Sequence, residues 1–186
     1  LKNQIRPHFF FFFLHNLYAL SLESSNKVPD VIIKLSRLME YVLYDVKGTK
    51  FVPLIKEIEY IQNYIEIEGL RFENVEVAIN LESNIEDINV PPLLFISLIE
   101  NAFKHGGLNN KKLKIKINCK IVNDKLHFEI LNNFVFSRNK KTKKGIGLIN
   151  TKKRLKLIFQ NNFKLEQKLK FNYYIIRLQI PTQNEN

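Results

Sequence analysis

Apolar positions recur every three to four residues through the first third of the chain and every second residue beyond it. From Gln4 to about Glu23 no glycine interrupts the helical period, and Pro7 falls early enough to sit in a first turn or mark a kink. Ser24-Ser25-Asn26-Lys27-Val28-Pro29 is a turn cluster. Asp30 is then the expected N-cap of a second helix, with Val31, Ile32, Leu35, Leu38, Met39, Val42 and Leu43 on one face. Gly48 and Pro53 end it, and a further helix carries Leu54, Ile58, Ile61, Tyr64, Ile65 and Ile67 before closing at Gly69. Two antiparallel helices of this length bury too little alone, so dimerisation into a four-helix bundle is the expected solution.

After Arg71 the period changes to two. Val75 to Leu81 alternates as a strand, and Val90-Pro91-Pro92 punctuates before a helix over about 93–105. Lys112 to Ile121 alternates strictly, with Leu113, Ile115, Ile117, Cys119 and Ile121 inward and Lys112, Lys114, Lys116 and Lys120 outward. Asn123-Asp124 is a hairpin turn into a strand over 125–131. Residues 133–144 are polar and irregular; a helix over about 147–160 and strands near 163–169 and 171–180 complete the pattern. The predicted class is α+β: a helical hairpin over residues 1–70, then a two-layer α/β sandwich with a mixed sheet over 71–183.

Composition narrows this little, but charge is uneven. Residues 1–92 hold 9 basic and 13 acidic side chains, whereas residues 93–186 hold 20 basic and 5 acidic ones. The second half therefore faces something anionic, with nucleic acid the generic candidate and nucleotide phosphate the narrower one. The aromatic residues that would support nucleic-acid binding are missing from the basic loop 137–144. A single cysteine, Cys119, excludes an intrachain disulfide framework and reads as a small buried hydrophobe. No apolar run approaches the ~18 residues of a membrane span. The chain opens at Leu1 inside a helical pattern, so we read it as a piece of a longer protein.

The chemistry concentrates in Glu100-Asn101-Ala102-Phe103-Lys104-His105-Gly106. Asn101, Lys104 and His105 are helical neighbours beside a Gly106-Gly107 stop, and they suit a polyanion with a metal ion: the amide as oxygen ligand, the ammonium as point charge. Glu100 could orient or deprotonate an attacking group, although adjacent helical side chains diverge by about 100°. Gly145-Ile146-Gly147-Leu148-Ile149-Asn150 is a glycine-rich turn opening a helix, where backbone N–H groups can meet phosphate. Singly, each stretch reads better as a helix end or a plain turn; together they favour a nucleotide site with Mg2+. The loop Arg138, Lys140, Lys141, Lys143, Lys144 would lie over the phosphates as a lid. His8, after Pro7, is a candidate nucleophile toward the γ-phosphoryl of ATP, since a neutral imidazole titrates near 6.5. His15 and His127 read as structural. The run Phe9 to Phe13 covers every side of a helical turn, which supports a partner helix.

Gln4-Ile5-Arg6-Pro7-His8-Phe9-Phe10-Phe11-Phe12 resembles the phosphoacceptor motif of the LytS-type sensor histidine kinases. Tyr60 to Phe72 resembles that family's interdomain junction. Val90-Pro91-Pro92-Leu93-Leu94 with Glu100 to Gly106 resembles its Asn-containing nucleotide box, and Gly145 to Asn150 followed by Arg154-Leu155 its glycine box. The resemblance implies an ATPase domain of the gyrase, chaperone, histidine kinase and MutL type over 71–183. It implies ATP and Mg2+ as ligands and a homodimer. It further implies transfer from phosphorylated His8 to a response-regulator receiver aspartate, at the cytoplasmic side of the membrane through an upstream region. By resemblance Asn101 is the magnesium ligand, Lys104, His105, Gly145, Gly147 and Leu148 contact the nucleotide, Glu100 is catalytic, and Asn132 stands where an aspartate usually reads adenine. Two positions and one segment depart from the pattern: Arg6 and Phe12 replace asparagines, and Asn132-Asn133-Phe134-Val135-Phe136 has no glycine. These departures keep open a degenerate kinase acting as a nucleotide-binding or scaffolding dimer.

Overall fold

The computed structural model describes residues 26–70, 72, 74–82, 85, 87–106, 112–134 and 146–182, with five positions between 14 and 22. His8, His15, Gly145 and the basic loop 138–144 lie outside the described residues.

Helix α1 (Val28–Glu40) starts two residues before the expected cap. Lys27 occupies the N-cap without a side-chain hydrogen bond, and Pro29 is accepted in the first turn, where an N–H has no intrahelical partner to lose. Asp30 is therefore inside the first turn, paired with Lys34. Val31, Leu35 and Leu38 are buried, whereas Ile32, Met39 and Leu43 face solvent. The single apolar face read from the sequence is thus two faces, one used inside this chain. The helix runs into a π-helical turn (Tyr41–Asp45), whose wider winding points Tyr41 at the next helix. Gly48, at φ 80, turns the chain back.

Strand β1 (Val52–Pro53) leads into helix α2 (Leu54–Gly69) and pairs with β3 (Asn89–Val90), while β2 (Val75–Leu81) lies between them in sequence. Helix α3 (Ile96–His105), strands β4 (Leu113–Val122) and β5 (Lys125–Asn133), helix α4 (Ile146–Phe159) and strands β6 (Lys164–Lys170) and β7 (Tyr173–Pro181) follow. The sheet runs β2-β4-β5-β7-β6, parallel between β2 and β4 and antiparallel elsewhere. Asn123 and Asp124 at φ 49 and 55 make the tight β4–β5 turn whose twist suits a hairpin.

The strand alternation sorts the two faces. Leu113, Ile115, Ile117 and Cys119 of β4 are buried with Leu126, Phe128 and Ile130 of β5, and the alternating lysines are exposed. Burial pushes the Cys119 thiol up to about 12, so it is inert packing. On the open face a polar ladder follows the register: Asn80 donates to Asn118, Asn118 to Glu129, and Arg177 to Glu129. Helices α3 and α4 cover the other face, with Phe95 stacked on Phe128 at 4.3 Å between centroids. Tyr64 meets Phe103 edge-on at 6.1 Å, so α2 joins the same continuous hydrophobic cluster as the sheet.

Candidate functional site

Helix α3 positions the nucleotide-box residues, and its start explains how. Leu93 takes φ 55 after Pro91-Pro92, which delays the helix to Ile96. Leu98, Ile99, Ala102 and Phe103 are then buried, leaving Asn101 half-buried at the site and Lys104 and His105 exposed in the last turn. Glu100 points elsewhere. Burial raises the phenols of Tyr60 and Tyr64, with Glu57 and Glu68 adding to it and the Glu100 charge contributing to both, so Glu100 lies toward α2.

The Asn101 amide lies against Gly147 in the first turn of α4. A Cβ at Gly147 would sit 3.5 Å from Asn101 Nδ2 and 3.6 Å from Oδ1, in the cradle between the helices. Among the described residues Asn101 Nδ2 is buried with no hydrogen-bond partner, an unusual state for a polar atom inside a protein. The helices are pinned here: Ser97 and Thr151 hydroxyls lie 2.7 Å apart, and Thr151 donates to the Gly147 carbonyl at 3.0 Å. Leu148 is half-buried beside them.

At the far end Gly106 passes so close to its surroundings that a Cβ would lie 2.7 Å from the Ala102 carbonyl and 3.3 Å from Asn132 Nδ2. Asn132, on the helix-facing side of β5, is buried. Its Nδ2 donates to the Asn133 carbonyl at 3.0 Å, and the Asn133 side chain is tied to the backbone of Lys112 and Lys114. The donor end of Asn132 is thus committed and its oxygen is the acceptor end. His127 lies on the open face of the sheet, away from the site, where burial, Lys120 and Lys125 hold its imidazole below its usual value.

A second group was not foreseen. Glu57, fully buried on α2, accepts from the Tyr41 hydroxyl and the Leu93 N–H, both at 2.5 Å. Arg154 on α4 donates to the carbonyls of Leu93 at 3.2 Å and Pro92 at 2.5 Å. The available signal was a glutamate on the buried stripe Leu54, Ile58 and Ile61.

Burial pushes the Glu57 carboxyl above its ordinary 4.5, against the pull of Tyr41, the Leu93 and Leu94 N–H groups and Arg154. A carboxyl raised in the folded state stabilises while protonated, and that contribution is lost as pH rises through its folded value. Glu57→Gln is therefore expected to reduce the fall in urea midpoint as pH rises above the ordinary carboxylate range. Parallel profiles for the two proteins would refute this.

The donor set fits magnesium with nucleotide phosphates. Mg2+ takes oxygen ligands and keeps waters, so one amide oxygen suffices from the protein, and the amide ends interchange by a half-turn. Among the described residues no cluster of three or more His, Cys, Asp or Glu is placed to hold a metal. Nor is any described helix long and apolar enough to cross a membrane.

A family model described as histidine kinase matches residues 1–75. The sensor protein LytS of Oceanobacillus iheyensis is 31% identical over 135 residues, 72% of this chain and 23% of that protein, so the chain spans about a quarter of that relative. Among solved structures, the catalytic domain of histidine kinase ThkA aligns with a TM-score of 0.55 and 21% identity, covering 73% of this chain and 97% of that one. ThkA in complex with the response regulator TrrA aligns at 0.52 and 17%, covering 85% and 50%. At these identities the structural likeness establishes the fold.

Proposed function

From the premise that this chain belongs to the histidine kinase family, as a segment related to the LytS sensor proteins, we propose that it is a kinase core that phosphorylates its own histidine. Residues 1–70 are the dimerisation and phosphoacceptor helices, and residues 71–183 bind Mg-ATP. The opposition of Asn101 and Gly147, with a buried amide nitrogen lacking a partner among the described residues, carries this reading. Nothing in an apolar helix contact calls for an amide there; a hydrated cation and phosphates do.

In this reading Asn101 would hold the magnesium ion, which when bound would supply charge neutralisation at the phosphates. The first turn of α4, at Gly147 and Leu148 with Gly145 before it, offers backbone N–H groups to phosphate. Lys104 and His105 bring donors from the end of α3. Asn132 accepts from the adenine amino group through its oxygen, its amide nitrogen being held by the Asn133 carbonyl. An imidazole nitrogen of His8 attacks the γ-phosphorus in line, the bond to the bridging oxygen breaks, and ADP leaves. Glu100, turned toward the helical pair, orients the incoming imidazole or takes its proton. The exposed Ile32, Met39 and Leu43 provide an apolar strip for a second copy, giving the four-helix bundle. A response-regulator aspartate then receives the phosphoryl group, a partner class seen with ThkA. In the whole protein an upstream region would hold this core at the cytoplasmic side of the membrane.

The test is incubation with γ-labelled ATP and Mg2+, then mass-spectrometric location of the phosphate. Acid-labile label on the peptide containing His8 is expected. Label on His15 alone would move the acceptor. Tight Mg-ATP binding with no labelled histidine would support the second reading, a nucleotide-binding scaffold, which the glycine-free segment 132–136 favours.

A further inference from the structure

The buried contacts around Leu93 join three helices through one peptide. Leu93 lies three residues before α3 and holds a left-handed backbone that is unfavourable for a side chain with a Cβ. Its N–H is taken by Glu57 of α2 and its carbonyl by Arg154 of α4, seven residues after Gly147. Glu57 Oε1 also receives the hydroxyl of Tyr41 from the π-helical turn.

We propose that Glu57 and Arg154 are positioning residues of the nucleotide site, gripping the Leu93 peptide from both sides so that Asn101 stays opposed to Gly147. This rests on the reading that a nucleotide occupies that space. The Ser97–Thr151 pair pins α3 to α4 near the first turn of α4, but one pin leaves a helix free to pivot. Arg154, just under one turn further along α4 than Thr151, supplies the second pin through the backbone just ahead of α3. A pair of pins fixes both spacing and crossing angle. Because Glu57 belongs to α2 and is shared with Tyr41, the position of the helical pair and the geometry of the pocket become one equilibrium. Nucleotide binding and helix movement then bias each other reciprocally.

The test titrates a fluorescent ATP analogue with Mg2+ against this chain, well below each variant's melting temperature. Arg154→Met and Glu57→Leu are each expected to raise Kd about tenfold. The double variant should lose little more than the weaker single, since both act through one peptide. Arg154→Lys, with one donor head for two carbonyls, should lie between wild type and Arg154→Met. If Glu57→Leu fails to melt cooperatively, the two Arg154 variants carry the comparison. Singles binding within about twofold of wild type, or losses that multiply in the double, overturn the clamp alone. A wild-type chain that binds no nucleotide removes the site reading and the clamp with it, so the two failures are distinct.

Discussion

Exchange of His8 for glutamine is expected to abolish the acid-labile label while leaving nucleotide affinity within about twofold of wild type, whereas Asn101→Ala does the reverse of sparing the site. The two variants divide the reaction. Glutamine at position 8 removes the nucleophilic imidazole and alters none of the groups proposed to hold the nucleotide. Alanine at position 101 leaves the acceptor in place but removes the only protein oxygen assigned to the metal. Loss of a preorganised group that stabilises developing charge costs about a hundredfold or more in rate. Folding should barely register the Asn101 change, because among the described residues Asn101 Nδ2 has no partner to strand. Phosphohistidine yield, analogue binding and thermal melts on the same preparations would check this. Asn101→Ala retaining label within about threefold of wild type would remove the amide from the proposed metal site.

The contrast also marks what could be read from the chain alone. Strand β4 was legible because lysine at every second position leaves Leu113, Ile115, Ile117 and Cys119 to one face, and Asn123-Asp124 has the residue types a left-handed hairpin turn needs. The opposition of α3 and α4 followed from two motifs, each suited to phosphate. Helix starts were less legible. Asp30 has the chemistry of a cap, yet Val28-Pro29 already fits a first turn, so the helix begins earlier. Leu93 has nothing in its local sequence that demands a left-handed backbone; that conformation is held by Glu57 and Arg154, 36 residues before it and 61 after it. Local pattern carries no information about such a contact. Only the misplaced charge of Glu57 on an apolar stripe hinted that a buried partner had to exist.

Gly106→Ala should cost more stability than any exposed substitution in this chain, about 3 kcal/mol, lowering the melting temperature by about 10 °C. The reason is not conformational freedom, since Gly106 sits at φ −83 and ψ 162, where any residue is comfortable. It is space. The new Cβ would lie 2.3 Å from Leu113 Cδ1 and 2.7 Å from the Ala102 carbonyl. The leucine end could swing, but Leu113 is buried and its neighbours are close-packed. The carbonyl cannot swing, because it accepts the Gly106 N–H at 2.9 Å and so fixes the last turn of α3. Relief requires the chain to move away from β4 and β5, which carries the end of α3 away from Asn132, itself 3.3 Å from the added carbon. Nucleotide affinity should therefore fall together with stability, even at temperatures where the variant is fully folded. A melting temperature within about 2 °C of wild type would show that this contact yields freely. Undiminished affinity in a destabilised variant would separate Asn132 from the nucleotide and leave Gly106 a purely structural glycine.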